Sequence, residues 1–129
     1  MKRTLIIALA LITLSTVFTA CSDSFTCNFN GKIEFHTTEN TPAIPVSKLQ
    51  NATVTLYNET GEIVASSSDI MEDGNYSLVT DLTEGNYKIK VTAAYQQNGR
   101  NYNLLASSGM FFIAKGTADY KFDMICSRI

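Results

Sequence analysis

The feature that most constrains this chain is a period of two. In "EGNYKIKVTAAY", Tyr87, Ile89, Val91, Ala93 and Tyr95 alternate with Lys88, Lys90 and Thr92. On an extended backbone the apolar side chains then share one face, and no helix sustains that spacing. The alternation returns in "NFNGKIEFHT", with Phe29, Ile33 and Phe35 opposite Lys32 and Glu34, and in "NATVTLYNETGEIVAS", where Ala52, Val54 and Leu56 oppose Thr53, Thr55 and Tyr57. Turn chemistry punctuates the runs: Glu59-Thr60-Gly61, Asp73-Gly74 ahead of "NYSLVT", and Asn98-Gly99, a strong hairpin signal. "YNLLASS", "MFFIA" and "ADYKFDMICS" complete six or seven short strands, the pattern of an all-β two-sheet sandwich. In "TTENTPAIPVSKLQ", Pro42 and Pro45 bar a central strand, which predicts a crossing from the first strand to the second at one end.

The N-terminus follows a different logic. Lys2 and Arg3 precede an apolar stretch from Leu5 to Phe18, the layout of a secretory leader. The stretch is short of the roughly 20 apolar residues a membrane-spanning helix needs. Ala20 followed by Cys21 resembles the bacterial lipobox, in which the cysteine thiol receives a diacylglycerol, although Phe18 stands where Leu is usual. That resemblance implies a signal helix over residues 1–20, a lipidated tether over 21–26 and one domain over 27–129. Each buried acyl methylene contributes about 0.8 kcal/mol, so an acylated Cys21 holds a folded domain at a membrane without a spanning helix.

The 129 residues less this leader suit one domain. The net charge is −2 with two of the cations in the leader, and no basic run exists. Nucleic acid is therefore not expected as a partner, since its binding draws on clustered Lys and Arg.

The runs "ATVTLYNETGEIVAS" and "GNYSLVTDLTEGNYKIKV" are similar to the carboxypeptidase regulatory-like and collagen-adhesin B-type domains, a prealbumin-like branch of the immunoglobulin-like sandwiches. Gly61, Gly74, Tyr76, Leu82, Gly85 and Tyr87 carry the likeness. The glycines are expected in turns with positive φ, and each tyrosine is expected to open a strand with its ring on the core. In such a sandwich the first and last strands commonly lie close together. Cys27 shares the parity of Phe29, and Cys126 that of Phe122 and Met124, so both thiols face inward. The resemblance thus makes a Cys27–Cys126 disulfide the expectation, worth about 4.7 kcal/mol in the chain-entropy model. Two buried free thiols are the alternative.

Catalytic constellations are absent from the pattern. The single histidine, His36, sits at a strand end, where a solvated residue is the simpler reading. Transthyretin-like hydrolases of this broad architecture use a histidine and arginine set with a C-terminal Tyr-Arg-Gly-Ser, and this chain closes on "CSRI". Asp69, Glu72 and Asp73 cluster at a turn without the spacing of an EF-hand loop. "YQQNGRNYN" is the strongest binding candidate: Tyr95 and Tyr102 offer stacking faces, and Gln97 and Arg100 offer planar donors suited to sugar hydroxyls or a peptide backbone. "MFFI", Met110 to Ile113, leaves one apolar pair facing outward unless something covers it.

The reading as a whole is a non-enzymatic lipoprotein of a bacterial cell envelope, expected at the outer membrane, acting as a binding or assembly module. It resembles the small surface or periplasmic lipoproteins of gut Bacteroidota. A carbohydrate-binding accessory lipoprotein and an adhesin-like structural subunit are the alternatives. The expected partners are the membrane through the lipid on Cys21, and an envelope protein or an extracellular glycan; no other cofactor or metal is expected.

Overall fold

The computed structural model describes residues 23–38 and 41–128. The expected signal segment and the lipid-accepting Cys21 lie outside the described residues. Nine strands are present among the described ones: β1 (Phe25–Phe35), β2 (Leu49–Asn58), β3 (Ile63–Ser67), β4 (Asn75–Leu82), β5 (Gly85–Gln97), β6 (Arg100–Ser107), β7 (Phe111–Ile113), β8 (Asp119–Lys121) and β9 (Met124–Arg128). No described helix is long and apolar enough to cross a membrane.

The hydrogen-bonded order is β3-β2-β5-β6-β9-β1-β4, with β7 beside β5 and β8 beside β1. β6 and β7 follow one another along the same edge of β5, and β8 and β9 do so in parallel along β1. A short ladder, Leu104 opposite Arg128 and Leu105 opposite Ser127, joins the two halves. The all-β class follows the alternation, but the strands number nine among the described residues rather than six or seven. The β6–β9 ladder also makes one continuous open sheet, curled over its own core. Phe29, Ile33, Phe35 and Leu78 from one half pack with Val54, Leu56, Ile89 and Val91 from the other in a single buried cluster. Each such side chain contributes about 1.5–3 kcal/mol on burial.

The segment expected as one final strand is split because of Gly31. A Cβ added there would lie 2.2 Å from the Phe122 carbonyl oxygen, at a backbone φ of +154°. The returning chain thus presses against β1 where no side chain intervenes. Phe122 N–H donates to the Asn30 carbonyl at 2.8 Å, and the Asp123 carboxylate accepts Lys32 N–H at 2.8 Å, standing in for a ladder carbonyl. Gly74 makes a second close approach, at φ +93° with the Ile33 carbonyl oxygen 2.2 Å from an added Cβ. Gly85 departs from the expectation: it has no positive φ and is the first residue of β5, opposite Ile113.

Both tyrosines of the Gly-x-Tyr pattern are buried on the core. Their hydroxyls donate to backbone carbonyls, Tyr76 to Phe122 at 2.7 Å and Tyr87 to Thr83 at 2.5 Å. The Tyr87 bond, to a carbonyl four residues upstream, has the form of the tyrosine corner found in β-sandwiches.

The disulfide expectation is corrected. Cys27 and Cys126 are free thiols, both buried as their parity requires. The register of β1 keeps them apart: Cys126 stands opposite Phe35, whereas Cys27 lies eight residues away on the same strand, opposite Thr80. At ~3.3 Å per residue that is about 26 Å of strand, far beyond the roughly 4.4–6.8 Å a disulfide spans between Cα atoms. The first and last strands do adjoin, but at the wrong level for a bridge.

Candidate binding site

β5 and β6 extend toward a tight turn at Asn98 (φ +53°) and Gly99 (φ +77°). Positive φ at both positions is the type I′ geometry that matches the twist of a hairpin. The register sets Tyr95 opposite Tyr102 and Gln97 opposite Arg100. Because successive side chains alternate faces, these four residues share the face that buries Ala93 and Leu104 lower down. The tyrosine rings stack with centroids 6.3 Å apart and planes 29° apart, and the Arg128 guanidinium lies 5.9 Å from the Tyr102 ring centre. The result is a half-buried aromatic shelf, with a cation over one edge and planar polar groups toward the tip.

The crossing segment supplies a wall. A cleft of about 240 Å³ lies between Tyr95 and Gln97 on one side and Thr37, Thr41 to Pro45 and Lys48 on the other. Ile44 anchors the segment, buried in the core and donating its N–H to the Phe35 carbonyl at 2.7 Å. A single 3₁₀ turn over Val46–Lys48 leads into β2. His36 is half-buried rather than solvated: Nδ1 lies 2.8 Å from the Thr41 carbonyl and Nε2 lies 3.3 Å from Glu34 Oε1. The Nδ1 contact ties the wall of the cleft to the end of β1, while Nε2 rests against Glu34 of β1 itself.

The remaining candidates are spent on structure. The Glu72 carboxylate accepts from Ser47 N–H at 3.1 Å and Ser47 Oγ at 3.0 Å, and Asp73 accepts from the backbone and side chain of Asn75. No cluster of three or more metal-ligating side chains occurs among the described residues. In "MFFI", Phe111 and Ile113 turn inward while Met110 and Phe112 stay exposed. Phe111 stacks on Tyr120 at 4.7 Å, and with Phe29 and Phe122 these rings pack where β7 and β8 face each other. Burial pushes the Cys126 thiol up to about 12, and burial with Asp119 nearby raises that of Cys27. Both stay protonated and poorly nucleophilic at neutral pH.

Sequence reasoning missed Lys48 and Arg128. Each reaches the shelf through strand order, Lys48 beside Leu49 opposite Tyr95, and Arg128 opposite Leu104. The one available signal for Arg128 was its parity with inward Cys126.

No protein-family model matches the chain, and no curated protein matches it. Among solved structures, it is similar to a Bacteroides thetaiotaomicron VPI-5482 protein of the DUF1812 group, for which polysaccharide binding is proposed. The identity is 9% and the TM-score 0.45, with 78% of this chain and 46% of that chain covered. This chain thus spans less than half the length of that protein.

Proposed function

We propose that this protein is a non-catalytic binding module, lipid-anchored in a bacterial envelope through Cys21, which offers the Tyr95–Tyr102 shelf to a carbohydrate. On this reading its curled sheet is a divergent prealbumin-like sandwich and its address is the outer membrane. The observation that carries the proposal is the placement of the shelf at the far end of β5 from the point where the chain emerges. Asp23 Oδ1 lies 3.6 Å from Lys115 Nζ, and Lys115 N–H donates to Glu84 at the start of β5. From Gly85 to Gln97 the strand has 13 residues, about 40 Å at ~3.3 Å each. A tether at Cys21 would therefore hold the shelf away from the lipid. Aromatic faces with flanking planar donors suit sugar rings, whose C–H faces stack while their hydroxyls hydrogen-bond.

The test is a glycan-array screen of the detergent-solubilised full chain, beside Tyr102→Ala and Arg100→Ala. Saturable binding lost by about tenfold or more in Tyr102→Ala is the expected result, because aromatic anchors in binding sites commonly carry 2 kcal/mol or more. A second reading, an adhesin-like subunit docking to another envelope protein, is favoured by the edge strands β3 and β4, where Ile63 and Val79 are exposed, β4 being covered at its start by Ile70 and Met71. It predicts co-purification with that partner and no response of complex formation to Tyr102→Ala.

A further inference from the structure

The shelf carries more positive charge than the rest of the molecule leads one to expect. The chain as a whole has a net charge of −2, yet Lys48, Arg100 and Arg128 all stand around Tyr95 and Tyr102. None of the three forms an ion pair among the described residues, where Lys115 pairs with Asp23 and the His36 ring lies 3.3 Å from Glu34 Oε1. No carboxylate lines the cleft among those residues either. Glu34, the acidic neighbour of His36, is already engaged by that ring.

Their order across the sheet is regular. Lys48 leads into β2, Tyr95 follows on β5, Tyr102 on β6 and Arg128 on β9, which are consecutive neighbours. With strands ~4.8 Å apart, β2 and β9 lie about 14 Å apart along the sheet, with Lys48 at the entry to β2, Arg128 on β9 and the strands of the two rings between them. Arg100 stands nearer the tip, opposite Gln97. A neutral sugar uses the rings and planar donors but leaves three cations unmatched. A sugar chain bearing a carboxylate on each ring uses both: the rings stack on the tyrosines, and the anions accept charge-assisted hydrogen bonds from the flanks.

We propose that the shelf selects acidic polysaccharides, binding uronate carboxylates through Lys48, Arg100 and Arg128 while the sugar rings lie on Tyr95 and Tyr102. This rests on the assignment of the shelf as a glycan site. The experiment is calorimetry on the full chain in detergent with polygalacturonate, and with the same polymer fully methyl-esterified, which keeps the backbone and removes the charge. The acidic polymer is expected to bind, the ester to bind at least about tenfold more weakly, and Lys48→Gln and Arg128→Gln each to cost about tenfold, the loss of one charge-assisted hydrogen bond. Lys121→Gln, remote on β8, is expected to change nothing, and circular dichroism checks that each variant folds. Equal affinity for both polymers, an equal loss in Lys121→Gln, or no binding of either polymer overturns the proposal. If both polymers bind equally and Tyr102→Ala abolishes both, the glycan shelf stands and only its acidic selectivity falls. Binding that Tyr102→Ala leaves untouched removes the shelf itself.

Discussion

At the scale of single residues, Gly31 is the position with least freedom. Its φ of +154° and the carbonyl of Phe122 leave no room for a methyl group, whereas Gly61, at φ +89°, has nothing within 4 Å of an added Cβ. Gly31→Ala is expected to cost about 3 kcal/mol by overpacking, and Gly61→Ala about 1 kcal/mol of backbone strain, measured by urea denaturation. Equal costs would contradict the close approach of β1 and the Phe122 turn. Tyr76→Phe, which removes the donor to Phe122, is expected to cost about 1.5 kcal/mol. The tyrosines were legible in the sequence because each opens a strand with its ring on the inward parity, although only Gly74, not Gly85, supplies a turn with positive φ ahead of it. Gly31 was not, since what crowds it arrives from 91 positions downstream and leaves no local trace.

At the scale of elements, parity is readable from sequence and level is not. The alternation correctly turned Cys27 and Cys126 inward, yet a bridge also depends on where along β1 the last strand pairs, and that register is set by Gly31 and the Asp123 carboxylate. The hairpin at Asn98-Gly99 shows the opposite case: a two-residue turn fixes its own register, so Tyr95, Gln97, Arg100 and Tyr102 were legible as one set. Lys48 and Arg128 were not, because they reach the shelf through strand order alone. The thiol account predicts that maleimide labels neither Cys27 nor Cys126 in the native protein, and labels both on unfolding without any reductant. Labelling that needs reductant would restore the disulfide.

At the scale of the whole molecule, the core holds acidic groups in their neutral forms. Burial raises Cys126 from 9.0 to about 12 and raises Cys27; Tyr76 is raised by burial and by the neighbouring Asp123 and Tyr120. Above about pH 9 for the thiols and pH 10 for the tyrosine, the unfolded chain releases these protons while the folded one retains them, so stability falls with pH. The Cys126 contribution is fully present below about pH 9 and is lost as the pH rises through about 12; Cys27 and Tyr76 act in the same direction. The urea midpoint is expected to drop between about pH 9 and pH 11, and a midpoint that holds or rises there would show that these groups are not buried as described.

The arrangement of the molecule, with the emerging chain at one end of β5 and the aromatic shelf at the other, is the basis of the functional account. The most direct measurement is an NMR titration of the isotope-labelled full chain in detergent with polygalacturonate, following backbone and arginine side-chain signals. The account predicts saturable shifts confined to Lys48, Tyr95, Gln97, Arg100, Tyr102 and Arg128. Shifts centred instead on the sheet edges around Ile63 and Val79, on the opposite end around Lys115, or on no residues at all would contradict it.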